Sequence, residues 1–169
     1  CSGDGRVVTD KTYTVDVPAG VDTGATLRLT GRGAVGPRGG PAGDLYVKVS
    51  VAPHDRFVRQ GFDLVHDLPI TMTQATLGHH IAYETLDGDE DLVIPRGTQS
   101  GRVFRLKGRG VPHLGGRGRG DLLVRAIVQT PTDLRPAEVE LLEQFAKLRG
   151  DEVTPADGGL LSRIRSAFK

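Results

Sequence analysis

Val17-Pro18-Ala19-Gly20, then Gly24, Leu27-Arg28-Leu29, Gly31-Arg32-Gly33 and Gly43-Asp44-Leu45-Tyr46-Val47, is written twice in this chain. The second writing is Ile94-Pro95-Arg96-Gly97, Gly101, Phe104-Arg105-Leu106, Gly108-Arg109-Gly110 and Gly120-Asp121-Leu122-Leu123-Val124. The offset is 77 throughout (95 − 18, 108 − 31, 121 − 44), and no gap is needed between positions 17 and 51. Duplication in such register means two copies of one β unit, and it outranks any local prediction.

The unit is legible residue by residue. Val-Pro-x-Gly ends a strand, because proline removes a ladder donor and glycine admits the turn that follows. Leu/Phe-Arg-Leu alternates with the period of a half-buried strand. Gly-Arg-Gly opens a loop that needs glycine's backbone freedom, and Gly-Asp-Leu-x-Val begins a strand expected to return antiparallel to the first.

Of 169 residues 24 are glycine, about twice the usual ~7%. Tryptophan and asparagine are absent and the net charge is +1. Many short strands and turns follow, with modest cores and no strong electrostatic pull toward nucleic acid or membrane. No apolar run approaches the ~20 residues of a membrane span, and no signal peptide opens the chain. A cytoplasmic location is expected.

Cys1-Ser2-Gly3-Asp4-Gly5-Arg6 reads either as half of a metal knuckle or as a stray thiol beside a turn. Lys11 to Val17 alternates as a strand, with Tyr13, Val15 and Val17 on one face. Further strands are expected over 44–51, 63–68 and 80–86, and a helix over 71–77 ended by Gly78. Asp87-Gly88 is expected as a hairpin turn. After Thr130 the pattern becomes helical, with Asp133 as cap, Pro136 in the first turn and Gly150 as stop. Val139, Leu142, Phe145 and Ala146 fall at helical spacing. Leu160, Leu161, Ile164 and Phe168 mark a short amphipathic helix, either a frayed tail or a docking element.

Three patterns suggest other chemistry and fail on context. Gly31-Arg32-Gly33-Ala34-Val35-Gly36 spells a dinucleotide-binding glycine pattern, but Pro37 and Gly39-Gly40-Pro41 preclude the helix it needs. Gly115 to Gly120 resembles an RNA-binding Gly-Arg segment without interleaved aromatics. His79 and His80 are neighbours in a strand and point to opposite faces. No serine, cysteine or acidic pair stands in a catalytic setting, so no enzyme is expected.

These residues resemble the C-terminal region of DnaJ-type co-chaperones. Cys1-x-Gly3-x-Gly5-Arg6 is similar to the end of the family's last CxxCxGxG knuckle, and Val15 to Gly24 to its Val-x-Val-Pro-Ala-Gly-Val-x-x-Gly segment. Pro41 to Val47, the set His54, Phe57, Arg59, Gly61 and Leu64, Ala75 to Gly78, and Thr85 to Gly88 match further family motifs. The family's His-Pro-Asp is missing; Pro53-His54-Asp55 holds the same residues in another order.

The resemblance implies a mainly β fold of two tandem β-sandwich or barrel-like units with short helices, followed by a C-terminal helical dimerisation segment. Residues 1–6 would be the remnant of a zinc-binding cysteine-rich region, 7–57 an incomplete first unit, 58–131 the second unit and 132–169 the dimerisation segment. The implied work is binding unfolded polypeptides and delivering them to a DnaK-type ATPase chaperone. Tyr13, Val15 and Phe57 would line the client groove. Leu142, Phe145, Leu160, Leu161, Ile164 and Phe168 would form the homodimer. Cys1 would ligate zinc only in the full-length protein, with no cofactor held by these residues alone. A β-rich nucleic-acid module using the Gly/Arg loops is the alternative; otherwise no nucleic acid and no membrane partner is expected.

Overall fold

In the computed structural model, which describes residues 9–154, the two copies of the repeat fold in the same register. Among the described residues the strands are Thr26–Leu29 (β1), Leu45–Lys48 (β2), Val58–Gln60 (β3), Asp63–Thr71 (β4), His79–Thr85 (β5), Gly88–Ile94 (β6), Val103–Leu106 (β7) and Leu122–Gln129 (β8). The helices are Met72–Leu77 (α1) and Pro136–Arg149 (α2). β1 pairs antiparallel with β2, setting Leu27 opposite Val47 and Leu29 opposite Leu45. β7 pairs antiparallel with β8, setting Phe104 opposite Val124 and Leu106 opposite Leu122. Each residue is its counterpart displaced by 77.

The repeated polar residues explain why the register repeats. Asp44 accepts from Arg28 Nε at 2.6 Å and from the Gly31 N–H at 2.8 Å. Asp121 accepts from Arg105 and, at 2.7 Å, from the Gly108 N–H. The same clamp thus closes both hairpins, tying the loop's first glycine to the returning strand. In each copy the bond from the glycine amide holds the carboxyl below the usual carboxylate range, and the arginine adds to it.

The second copy is built into a sheet of order β3-β4-β8-β7, in which β4 and β8 run parallel from the Leu64–Leu122 pair to the Thr71–Gln129 pair. Pro69 lies within β4, past the expected end at residue 68. β3 covers β4 only between Asp63 and Val65, so β4 is an edge at Pro69 and the missing N–H interrupts no ladder. Leu64 and Ile70 of β4, and Leu122, Val124 and Ala126 of β8, form the inner face. The β5–β6 hairpin lays Tyr83, Leu92 and Ile94 over it, and these residues with Phe57 and Ala75 make the core. Helix α1 begins at a reciprocal cap between Thr71 and Gln74 and ends at Gly78, as the sequence predicts. The hairpin turn is Leu86-Asp87, one residue before the expected pair, because Thr85 pairs with Gly88.

The first copy differs. Residues 11–17 stand 77 positions before β6, yet they form no strand. β6 is a strand because β5 bonds along its whole length, whereas the stretch in β5's place, residues 2–8, lies outside the described residues. Alternation alone makes no ladder. Among the described residues the first copy is therefore the β1–β2 ribbon with its lead-in, rather than a second sandwich.

The chain divides into two units at Gln129, and residues 130–169 form the other. There α2 starts at Pro136 with Arg135 as the cap residue, in place of Asp133. Glu138 reaches back and accepts from the Arg135 N–H at 2.8 Å, which fixes the cap two residues after Asp133. Gly150 at φ 74° closes the helix, with Asp151 N–H donating to Ala146 O and Gly150 N–H to Lys147 O. Leu160, Leu161, Ile164 and Phe168 lie outside the described residues.

Candidate functional site

Leu27, Leu29, Leu45 and Val47 share one face of the β1–β2 ribbon, and all four are half-buried. At the same positions of the second copy, Leu122 and Val124 are both 0% exposed beneath the β5–β6 hairpin. Phe104 and Leu106 are half-buried as Leu27 and Leu29 are, so among the described residues the contrast lies in the returning strand, covered in β8 and partly open in β2. A two-stranded ribbon that no other described strand covers is marginal by itself, and its apolar face offers a surface to an extended apolar segment.

Tyr13 and Val15 are half-buried and Val17 is exposed. The Arg32 guanidinium lies 5.4 Å over the Tyr13 ring, so a cation–π contact ties this segment to the turn after β1. Phe57 is placed elsewhere. It is 5% exposed in the core of the second copy, with the His54 ring 5.1 Å away, the His66 ring meeting it edge-on at 5.7 Å and the Arg56 guanidinium 5.2 Å over its face. The structure thus gives Tyr13 and Phe57 separate surroundings.

The Phe57 cluster is polar at its rim. His54 Nδ1 accepts from the backbone N–H groups of Arg56 and Phe57, which turns the chain into β3. His66 Nδ1 is bonded to the Tyr83 hydroxyl at 2.7 Å, and Arg56 donates to Glu84 Oε2 at 2.7 Å. Burial pulls the His66 imidazole below its usual value and the Arg56 charge adds to this, while Asp67 opposes it. Burial raises the Tyr83 hydroxyl. Phe57, Leu86 and the Arg56–Glu84 pair line a cleft of about 210 Å³. A second groove of about 410 Å³ lies over Val58, Val65 and the Asp67–Arg125 pair. Val58 faces Val65 and Val65 faces Leu123, giving an apolar row across β3, β4 and β8 on the outer side of the sheet. Sequence reasoning misses that row. Alternation in β4 and β8 signals two faces, but which one meets solvent depends on where β5–β6 packs.

Among the described residues, arginines in and beside the Gly/Arg loops are engaged internally, Arg117 apart. Arg28 pairs with Asp44, Arg105 with Asp121, Arg109 with Glu90 and Arg119 with Asp87, the last at 2.9 Å through both carboxylate oxygens. Phosphate binding there would first have to break these pairs, so the nucleic-acid reading gains no support. His80 sits 3.0 Å from Asp91 on the exposed side of the β5–β6 hairpin, and among the described residues no group of three or more His, Cys, Asp or Glu side chains converges to hold a metal. Cys1 lies outside the described residues.

On α2, Leu142 is half-buried and Phe145 is 51% exposed, with the Arg149 guanidinium 5.8 Å over its ring. Leu141 and Leu148, at helical spacing from Phe145, are more exposed still. Leu142 and Phe145, three residues apart, lie on neighbouring parts of one face of this helix.

A family model described as DnaJ C terminal domain matches residues 4–131, and one described as Chaperone protein DnaJ C-terminal region matches residues 138–169. Chaperone protein DnaJ 2 of Streptomyces avermitilis is 51% identical over 169 residues, covering 97% of this chain and 45% of the relative. Chaperone protein DnaJ of Ruminiclostridium cellulolyticum is 45% identical over 183 residues, covering 100% and 48%. Chaperone protein DnaJ of Brucella ovis is 46% identical over 170 residues, covering 100% and 45%. The chain spans about half the length of the curated relatives it matches.

Proposed function

The chain belongs to the DnaJ C-terminal domain family, and on that premise we propose that it binds unfolded or non-native polypeptides and passes them to a DnaK-type ATPase chaperone. The observation that supports client binding most directly is the contrast between the copies: Leu45 and Val47 are partly exposed where Leu122 and Val124 are sealed. An extended apolar segment laid on Leu27, Leu29, Leu45 and Val47 would gain burial there without strict sequence choice. Tyr13 and Val15 would border it, and Phe57 would act as the floor of the cleft beside Leu86. The role requires no chemistry, only adhesion and release.

Homodimerisation through α2, by Leu142 and Phe145 together with Leu160, Leu161, Ile164 and Phe168, would place two such faces on one client and raise avidity through effective concentration. Zinc, ligated in part by Cys1, belongs to the longer protein in this proposal, and the cytoplasm is the proposed location. Among the described residues no helix is long and apolar enough to cross a membrane.

The test is anisotropy of a labelled, permanently unfolded polypeptide titrated with the protein at low and high salt. Val47→Asp and Phe57→Ala are the informative variants. Salt-tolerant binding that Val47→Asp abolishes and Phe57→Ala weakens supports the proposal. Binding that collapses with salt would favour phosphate-like contacts, and unchanged binding in Val47→Asp would move the site off the ribbon.

A further inference from the structure

The ribbon of the first copy meets the second copy at the turn Pro18 to Thr23, and one side chain reaches across to it. Arg59, on β3, donates from Nη1 to the carbonyl of Val21 at 2.8 Å and from Nη2 to the carbonyl of Gly20 at 2.9 Å. Its Nε is held by the carbonyl of Gly61 at 2.8 Å, so the guanidinium plane is fixed from its own side before it meets the turn. Asp22 stands 3.6 Å away and adds an opposite charge. The side chain is 23% exposed. These are charge-assisted bonds to a planar fork, the geometry for which lysine is no substitute.

The other half of the joint is steric. Gly20 has φ 84°, and a Cβ there would overlap the carbonyl oxygen of Pro112. That carbonyl is not free to yield. Val111 N–H donates to Phe62 O at 2.8 Å, Gly110 and Gly120 pack so closely on the Phe62 carbonyl that neither admits a side chain, and the His113 ring lies 4.3 Å from that of Phe62. The turn of the first copy is thus pressed against a rigid loop of the second and pinned by an arginine from the neighbouring strand. Arg59 and Gly61 flank the end of β3 in the His-x-x-Phe-x-Arg-x-Gly segment, and Gly20 belongs to the repeat, yet its counterpart Gly97 has open space at the Cβ position. Both glycines hold a positive φ that the repeated turn requires, and the crowding found only at Gly20 comes from the joint.

We propose that Arg59 and Gly20 form a latch that sets the angle between the two copies, so that releasing it lets the β1–β2 ribbon swing while the second copy stays folded. The ribbon makes its own clamp through Asp44, and the core of the second copy contains neither Arg59 nor Gly20. The joint therefore carries orientation rather than folding. The inference does not depend on what the ribbon binds.

The test uses the full chain with Cys1→Ser, spin-labelled at Lys48→Cys on the ribbon and Asp89→Cys on the β5–β6 hairpin, both exposed positions. Double electron–electron resonance reads the distance distribution, and hydrogen exchange over β4 and β8 reads the second copy separately. The parent is expected to give one narrow distribution. Arg59→Met, which keeps the aliphatic stem, broadens and shifts it, and Arg59→Lys falls between. Gly20→Ala, which acts from the other side of the joint, broadens it too. Exchange over β4 and β8 is unchanged in all of them. A broad distribution in the parent, or distributions in Arg59→Met and Gly20→Ala that superimpose on the parent's, overturns the proposal. If Arg59→Met also loosens β4 and β8, the Gly20→Ala distribution decides.

Discussion

Leu45→Ala and Leu122→Ala remove the same atoms from the same position of the repeat, and the structure gives them different costs. Leu122 is 0% exposed among Leu64, Ile94 and Val124. Truncating it loses the transfer free energy and leaves a sealed cavity, about 3 kcal/mol within the usual 2–5 for such a change. Leu45 is partly exposed on the ribbon, so most of the transfer term is lost but no closed cavity forms, roughly 1.5 kcal/mol. In urea, with a slope of about 2 kcal/mol per molar, these become midpoint shifts of roughly 1.5 M and 0.75 M. Equilibrium unfolding followed by circular dichroism measures both, and unchanged slopes confirm that the unfolded reference is the same. The two variants should also part in function: Leu45→Ala weakens peptide binding, while Leu122→Ala leaves the affinity of the folded population intact. Equal midpoint shifts would refute the asymmetry between the copies and with it the open apolar face.

His66 packs against Phe57, bonds Tyr83 and faces Arg56 and Asp67, and its imidazole is held neutral in the fold below its usual value. The unfolded chain then binds the extra proton first, so its contribution to stability is full above about pH 6.5 and falls as the pH drops below that. The urea midpoint should decline from about pH 7.5 to about pH 5, and His66→Gln should flatten that decline. Gly78 ends α1 at φ 83°, and a Cβ added there would lie 3.1 Å from the Ile94 carbonyl oxygen, so Gly78→Ala meets both torsional strain and crowding. It should cost about 2 kcal/mol, against about 1 kcal/mol for Gly61→Ala, where φ is 64° in open space; thermal unfolding ranks the two.

The repeat makes the strand pairing legible from sequence alone. Arg28 with Asp44 and Arg105 with Asp121 recur at one spacing because each carboxylate must tie its glycine loop to the returning strand. The helix over 71–77 is equally plain, since Thr71, Gln74 and Gly78 act through neighbours in sequence. What sequence misses depends on distant partners. Residues 11–17 alternate as a strand does, but a strand exists only where another backbone accepts its bonds. Pro69 argues against a strand until the shortness of β3 shows that its N–H side is open. Asp133 looks like a cap, but Glu138 reaches back to the Arg135 N–H and sets the cap two residues later. The motif around Phe57 cannot place its ring among His54, His66 and Arg56, because His66 comes from another strand. The latch is invisible for the same reason: 39 positions separate Gly20 from Arg59.

The most direct measurement is hydrogen exchange of the chain with and without a saturating apolar, extended peptide, resolved by segment. Binding on the ribbon should bring new protection over Thr26–Leu29 and Leu45–Lys48 with little change over Leu122–Gln129, whose amides the β4 and β7 ladders already hold. Protection confined to the second copy, or bound peptide that protects neither strand of the ribbon, would contradict it.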